Sequence, residues 1–286
     1  MGKLQGRRAL VTGSSSGIGA GVALAFAREG ADVVINYPTP KQREAAEAVA
    51  EQVRAAGRKS EAIQADVSEP AQVTRLVESS VATLGGLDTL VNNAGIAGTS
   101  NVEDMAIDEW DRMIAVHLRS VFLVTRLVLP MMYRQNSGKI VNTASQLAYK
   151  ASPGLSHYVA AKAAIVAFTR CLALEIGTRN VNVNCVAPGA TRTALIADIA
   201  DDLMTKIRAS IPKGRFGARG RSLKLRRRMS AFGTFQTQRD ARRERPIWSA
   251  WRIADCSAAP ARTITSATYS IPMAGRGRRT PSTLSN

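Results

Sequence analysis

The sequence predicts a three-layer, doubly wound α/β fold around a parallel sheet of six to seven strands. Two observations lead there. Over residues 1–212, short apolar runs alternate with longer helical segments, the mark of repeated βαβ units. The short runs are also apolar at nearly every position, so their strands need cover on both faces, as strands inside a parallel sheet have.

In chain order, strands are expected at residues 8–12 (RALVT), 32–36 (DVVIN), 61–66 (EAIQAD), 88–93 (DTLVNN), 139–145 (KIVNTAS) and 181–187 (VNVNCVA). Amphipathic or Ala-rich helices are expected at 19–28, 41–56, 72–84, 107–133 and 158–176. In sheets of this kind ligands sit beyond the carboxyl ends of the strands, so those ends hold the candidate site residues.

Composition narrows the function classes. A chain of 286 residues with 45% hydrophobic content is long and apolar enough for a real core. No apolar run of about 18 residues and no charged-then-apolar leader is present, so a cytoplasmic protein without membrane contact is expected. The three cysteines, Cys171, Cys185 and Cys256, are widely spaced and read as buried thiols. His117 and His157 are the only histidines, which argues against a histidine-rich metal site; no metal is expected. The net charge of +17 is concentrated at one end. Residues 1–212 hold 22 Lys+Arg against 19 Asp+Glu, whereas residues 213–286 hold 17 against 3. That contrast draws a boundary between residues 212 and 213.

Three motifs carry chemistry. TGSSSGIG (residues 12–19) lies where the first strand turns into the first helix. Gly13, Gly17 and Gly19 permit a tight turn and close approach of backbone N–H groups to a pyrophosphate. Taken alone, the segment fits a purely structural turn equally well. Asp66–Val67 and NNAG (residues 92–95) end the third and fourth strands, where polar side chains can meet an adenine and a ribose; turn chemistry explains either feature singly. The most specific motif is YVAAK (residues 158–162), with Ser145 13 residues earlier. Tyr158 and Lys162 are spaced i, i+4 and share a helix face. A phenol of pKa about 10 is a poor acid–base at neutral pH, but a neighbouring ammonium favours the phenolate and lowers that value.

Together TGSSSGIG, NNAG, Ser145, YVAAK and PGATRT (residues 188–193) resemble the short-chain dehydrogenase/reductase family, over residues 4 to about 217. The resemblance implies a Rossmann-type subunit that moves hydride between a nicotinamide cofactor and a carbonyl or secondary alcohol. Tyr158 would be the acid/base, Lys162 would lower its pKa and hold the nicotinamide ribose, and Ser145 would orient the substrate oxygen. His117 stands where the family usually has an Asn that anchors a proton-relaying water, implying an altered relay; the alternative is a helix histidine satisfied by a backbone carbonyl. His157 reads as a wall of the substrate pocket. Cofactor contacts are implied for Gly13, Ser15, Ser16, Gly17, Ile18, Gly19, Asn36, Tyr37, Asp66, Val67, Asn93, Ala94, Gly95, Tyr158, Lys162, Pro188, Gly189, Thr191 and Thr193.

Asn36 and Tyr37 stand where NAD-preferring members carry an acid, so NADP(H) is favoured and NAD(H) is allowed. The look is nearest to the 3-oxoacyl-[acyl-carrier-protein] reductase and glucose 1-dehydrogenase branches, which implies a small-molecule substrate and a homo-oligomer, in the family usually a tetramer.

After residue 217 the family pattern is lost in an Arg-rich stretch and returns briefly at TITSATYSI (residues 263–271). A shifted reading frame that replaces the last helix and strand accounts for both. The alternative is a dinucleotide-binding protein with impaired catalysis and a basic nucleic-acid-binding arm. Residues 213–286 carry no recognisable nucleic-acid motif, so a nucleic-acid partner is not expected.

Overall fold

Six parallel strands form the centre of the fold: β1 (Arg8–Val11), β2 (Asp32–Tyr37), β3 (Ala62–Gln64), β4 (Thr89–Asn92), β5 (Gly138–Thr143) and β6 (Val181–Val186). A two-residue strand, β7 (Thr234–Phe235), adds antiparallel to the outer edge of β6. The sheet order is β3-β2-β1-β4-β5-β6-β7, so the chain reverses direction across the sheet between β1 and β4. This is a computed structural model, and it describes residues 2–193, 201–209, 211, 213–217 and 234–235. All of these fall in one unit, Met1–Asp240. Cys256, the TITSATYSI stretch (residues 263–271) and nearly all of the Arg-rich stretch after residue 217 lie outside the described residues.

The alternation of side chains along each strand divides the core into two layers. Ala9, Val11, Val33 and Ile35 point to one face and pack on α1 (Gly17–Arg28) and α2 (Arg43–Ala55). Leu10, Val34, Leu90 and Ile140 point to the other, against α3 (Pro70–Leu84), α5 (Ser120–Arg134) and α6 (Ser156–Glu175). Strands β1, β2 and β4 are thus buried from both sides, as their continuous apolar sequence requires, whereas β3 at the sheet edge is half-buried to exposed. Along β5 and β6 the pattern changes: Val141, Asn182, Asn184 and Val186 are only half-buried, because the described helices cover one face there.

Element boundaries differ from expectation where local chemistry intervenes. Helix α3 begins at Pro70, two residues early, because proline fits the first helical position, where its missing N–H costs nothing. The helix expected at 107–133 is interrupted. It runs as α4 (Ile107–Ile114), a π-helical turn (Ala115–Arg119) and α5. The Ser120 N–H reaches back to the Ala115 carbonyl, and the Ser120 hydroxyl caps the Val116 carbonyl at 2.5 Å. Within this turn Val116 and His117 are both buried. Ile107–Arg134 and Ser156–Glu175 are each long and apolar enough to cross a membrane. In the fold they instead bury Val124, Val128, Met132 and Leu172 against the sheet. Not every cysteine is buried: Cys185 is, but Cys171 lies on the exposed side of α6.

A chain of amides crosses the core beneath the strand ends. Asn92 Nδ2 donates to Asn142 Oδ1 (2.9 Å) and to Thr125 Oγ1 (3.1 Å), and Asn142 Nδ2 donates to Thr169 Oγ1 (2.9 Å). It ties β4, β5, α5 and α6 together in a layer without water contact. Asn142→Ala should cost about 3 kcal/mol in urea unfolding, since it opens a cavity and takes one buried hydrogen bond each from Asn92 and Thr169. A loss under about 1 kcal/mol would show that the network does not hold these elements.

Candidate active site

The carboxyl ends of β1, β2 and β4 are stitched into one floor. Thr12 Oγ1 accepts from the backbone N–H groups of Asn93 (3.0 Å) and Ala94 (3.1 Å), while Asn93 Nδ2 donates to the carbonyls of Thr12 and Gly13. Gly13 has φ +60° and lies so close to Ala94 that a Cβ would fall 2.6 Å from the Ala94 Cα. A Cβ at Gly19 would meet the Gly13 carbonyl at 2.3 Å. Two of the three loop glycines are therefore needed for packing of loop on strand, in addition to any approach of a ligand.

The loop nevertheless fits a dinucleotide. Helix α1 begins without a side-chain cap and without an acid in its first turn, so its N-terminal N–H groups remain available to an anion. Ser16 is exposed at its entrance, Ser15 is mostly buried and Ile18 is half-buried. Across from Gly17 stands Thr193, whose Cγ2 is 3.5 Å from where a Gly17 Cβ would be, so the glycine-rich and PGATRT segments converge. Pro188 accepts from the Gln146 N–H, and Thr191 Oγ1 donates to the Gly189 carbonyl at 3.0 Å. The segment at 190–192 is braced by Gly217, through Gly217 N–H to Ala190 and Arg192 N–H to Gly217.

Two expected cofactor residues turn out to be internal supports. The Asn36 amide accepts from the Gly13 N–H (3.1 Å) and donates to the carbonyls of Ile63 and Ala65; it is 1% exposed. Tyr37 is 3% exposed, and its hydroxyl accepts from Arg43 Nε at 3.3 Å. The arginine beside the β2 end is thus Arg43, six residues further on. Sequence reading missed it because the intervening turn at Pro40–Gln42 had to be folded before Arg43 could face Tyr37. At the end of β3, Val67 is buried and Asp66 is held by Ser68 and Arg112.

Ser145, His117 and Lys162 converge on Tyr158 from three elements. Ser145 lies two residues beyond β5, where its hydroxyl accepts from the Leu147 N–H (3.1 Å) and interacts with the Tyr158 side chain. Lys162 Nζ lies 5.7 Å from the Tyr158 ring centre and donates to the Thr143 carbonyl at 2.7 Å. His117 meets the same ring edge-on, with centroids 5.2 Å apart and planes at 86°. Its Nε2 faces the backbone of Ile96, 3.1 Å from the N–H and 2.9 Å from the carbonyl, whereas Nδ1 is buried without a hydrogen-bond partner among the described residues. Gly95 is small because of this ring: a Cβ there would sit 2.4 Å from His117 Cε1. His157 is fully buried, with Nε2 3.5 Å from Glu109 Oε1.

Burial sets the electrostatics. It lowers His117 from 6.5 to about 3, helped by the charge of Lys162, and lowers Lys162 from 10.5 to about 8. Burial also raises the Tyr158 phenol above its ordinary value, opposed by the Ser145 hydrogen bond. The depression of Tyr158 by Lys162 expected from spacing is not what the protein's own groups produce. The ammonium is aimed at the Thr143 carbonyl and is itself weakened by burial.

These shifts make stability depend on pH in a defined direction. Between about 3 and 6.5 the unfolded chain protonates His117 and the folded one does not, so stability falls as pH drops below 6.5. The slope is at most about 1.4 kcal/mol per pH unit. The stability difference between wild type and His117→Asn, from urea unfolding, should shrink by about 2 kcal/mol from pH 6.5 to 5. Carboxylate titrations are common to both proteins and cancel; a difference flat with pH would refute the buried neutral imidazole.

The short chain dehydrogenase family model matches residues 7–203. A 3-oxoacyl-[acyl-carrier-protein] reductase of Staphylococcus epidermidis is 40% identical over 211 residues, 74% of this chain and 86% of the relative. The versicolorin reductase of Emericella nidulans is 40% identical over 201 residues, 69% of this chain and 74% of its own. Among solved structures, a short chain dehydrogenase from Burkholderia cenocepacia in complex with NADP superposes with a TM-score of 0.71. It shares 37% identity and covers 77% of this chain and 88% of its own. With the family's fold, the convergence on Tyr158 and these likenesses in hand, the chain belongs to the short-chain dehydrogenase/reductase family and is an oxidoreductase of the nicotinamide-dinucleotide class.

Proposed function

We propose that the protein reduces a carbonyl to a secondary alcohol, and reverses that reaction, with substrates like those of 3-oxoacyl-[acyl-carrier-protein] reductases. The observation that carries this reading is the convergence of Ser145, Lys162 and His117 on Tyr158. When bound, the nicotinamide supplies or takes up the hydride. The protein's part is to bind, orient and move a proton. Ser145 Oγ and Tyr158 Oη hold the substrate oxygen, and Tyr158 Oη delivers the proton to it in reduction. Because burial keeps the phenol protonated, Tyr158 is ready as the acid for reduction. Lys162, with a pKa of about 8, is able to exchange a proton at Nζ near neutral pH. His117 serves that relay as a neutral hydrogen-bonding ring, since an imidazolium is excluded at its depressed pKa.

The dinucleotide would lie over Gly13, Ser15, Ser16, Gly17, Ile18 and Gly19, with its adenine end at Asp66 and Val67 and its nicotinamide end between Gly95, Lys162, Thr191 and Thr193. NADP(H) is the favoured form. No acid stands at Asn36 or Tyr37 to repel a 2′-phosphate, and Arg43 and Ser16 offer donors beside it. The NADP-bound neighbour supports the same preference. We read residues 1–212 as the catalytic domain. Exposed Trp110, Phe122 and Leu174 on helices α4, α5 and α6 support assembly with further copies.

Tyr158→Phe should lower kcat/KM for NADPH-dependent reduction of a β-ketoester by about 10²–10⁴-fold, the usual contribution of a positioned acid. Activity near wild type would overturn the assignment, and faster turnover of glucose than of the ketoester would move the substrate reading to the sugar branch. Arg43→Ala should raise KM for NADPH about ten-fold or more and leave KM for NADH nearly unchanged, as loss of a charge-assisted phosphate contact does. Equal effects on both cofactors would remove Arg43 from the 2′-phosphate.

A further inference from the structure

Outside the Tyr158 cluster and the floor built by Thr12, Asn36 and Asn93, a further set of polar contacts at the strand ends centres on Asp66. Ser68 donates to its Oδ1 twice, from the backbone N–H at 3.0 Å and from the hydroxyl at 2.8 Å. Arg112, from α4, donates Nη2 to Oδ2 at 2.8 Å and Nη1 to the Ser68 hydroxyl at 2.6 Å. Arg119, from the π-helical turn, adds a donor to the Ser68 carbonyl at 3.4 Å, and Gln72 Oε1 accepts from the Asp66 N–H. The Asp66 side chain is 22% exposed, so it is neither free in solvent nor sealed in the core.

A carboxylate offers about four acceptor directions. Two on Oδ1 and one on Oδ2 are taken by Ser68 and Arg112, which leaves one direction of Oδ2 among the described residues. Without Arg112 the carboxylate would keep Ser68 alone and could turn about its own Cβ–Cγ bond. Arg112 uses two nitrogens on two partners, so it fixes the carboxylate plane as a lysine could not. Burial works against the charge, yet the Ser68 N–H, the Arg112 guanidinium and the Ser68 hydroxyl hold the Asp66 carboxyl below its ordinary range. The remaining acceptor is therefore both charged and oriented.

We infer that Arg112 is a positioning residue for cofactor recognition: from α4 it clamps Asp66 and Ser68 so that the open face of Asp66 Oδ2 accepts the exocyclic amino group of the adenine. This rests on the reading above that puts the adenine end of the dinucleotide at Asp66. Its content is that adenine selectivity is set by a residue in the next βα unit, 46 positions away in sequence. The same helix continues into the turn that carries His117, so one element braces both ends of the cleft.

The test compares NADPH with the reduced nicotinamide hypoxanthine dinucleotide phosphate, which has an oxo group in place of the 6-amino group. Binding is measured by the fluorescence of the reduced nicotinamide, without turnover. Wild type should bind the adenine form about ten-fold or more tightly, the value of a hydrogen bond to a charged acceptor. Arg112→Ala should move that ratio toward unity, chiefly by weakening the adenine form, and Arg112→Lys should restore it only in part. Ser68→Ala, which removes the other anchor of the clamp, should also lower it. If Arg112→Ala and Ser68→Ala weaken both dinucleotides equally, Arg112 acts through bulk charge or stability and the inference fails. If wild type binds both forms equally well, Asp66 does not read the amino group, and the placement of the adenine falls before the role of Arg112 does. If wild type binds neither, the dinucleotide reading itself is overturned.

Discussion

The interlock of the β1 turn with the end of β4 is the constraint on which the site depends. Thr12 supplies one hydroxyl to two backbone N–H groups of Asn93 and Ala94, and Asn93 returns its amide to two carbonyls of the turn. Such an arrangement requires the two backbones to touch, which only a residue without Cβ at Gly13 allows. Asn36 then locks the same turn to β2 and β3. Backbone polar groups that would otherwise be stranded at three strand ends are satisfied by side chains, and the space above them stays shaped for a flat ligand. The topological reversal between β1 and β4 puts this floor where open α/β sheets bind ligands.

A second constraint is desolvation. His117, Lys162 and Tyr158 share a poorly hydrated pocket, and each is pushed toward its neutral form. The phenol stays neutral near pH 7, and Lys162, lowered from 10.5 to about 8, exchanges a proton near neutral pH more readily than an ordinary lysine would. The π-helical turn carries His117 into this pocket, with Val116 buried beside it. Of the two readings that the position of His117 allowed, the contact with a backbone carbonyl is the one seen in the fold. The ring is satisfied by the Ile96 backbone through Nε2, and its Nδ1 lies inside the site without a hydrogen-bond partner among the described residues.

Much of this was legible beforehand because it is written in local patterns. Six strands, their parallel sense and the helices between them follow from period and burial, and they are found with shifts of a few residues at most ends. Tyr158 and Lys162 could be paired by spacing because an α-helix converts i, i+4 into adjacency. Arg43 and Arg112 could not be found that way. Each meets its partner across a loop or from another βα unit, at separations of 6 and 46 residues without helical or strand periodicity. Asn36 was placed at the end of β2, but its bonding to the turn and to β3 is seen only when both segments are present.

By itself the sequence determined the architecture and the inventory of the candidate site: apolar periods dictate the layers, glycines permit the turn, and the spacing of Ser145, Tyr158 and Lys162 brings those groups to one place. Tertiary structure decided how those groups behave. It chose which glycines serve packing, aimed Lys162 at a carbonyl, buried His117 into neutrality, exposed Cys171 and assigned arginines to Tyr37 and Asp66. The reason is physical. Periodicity and propensity act over a few residues, whereas solvation and long-range hydrogen bonds depend on segments that meet only after the sheet has assembled.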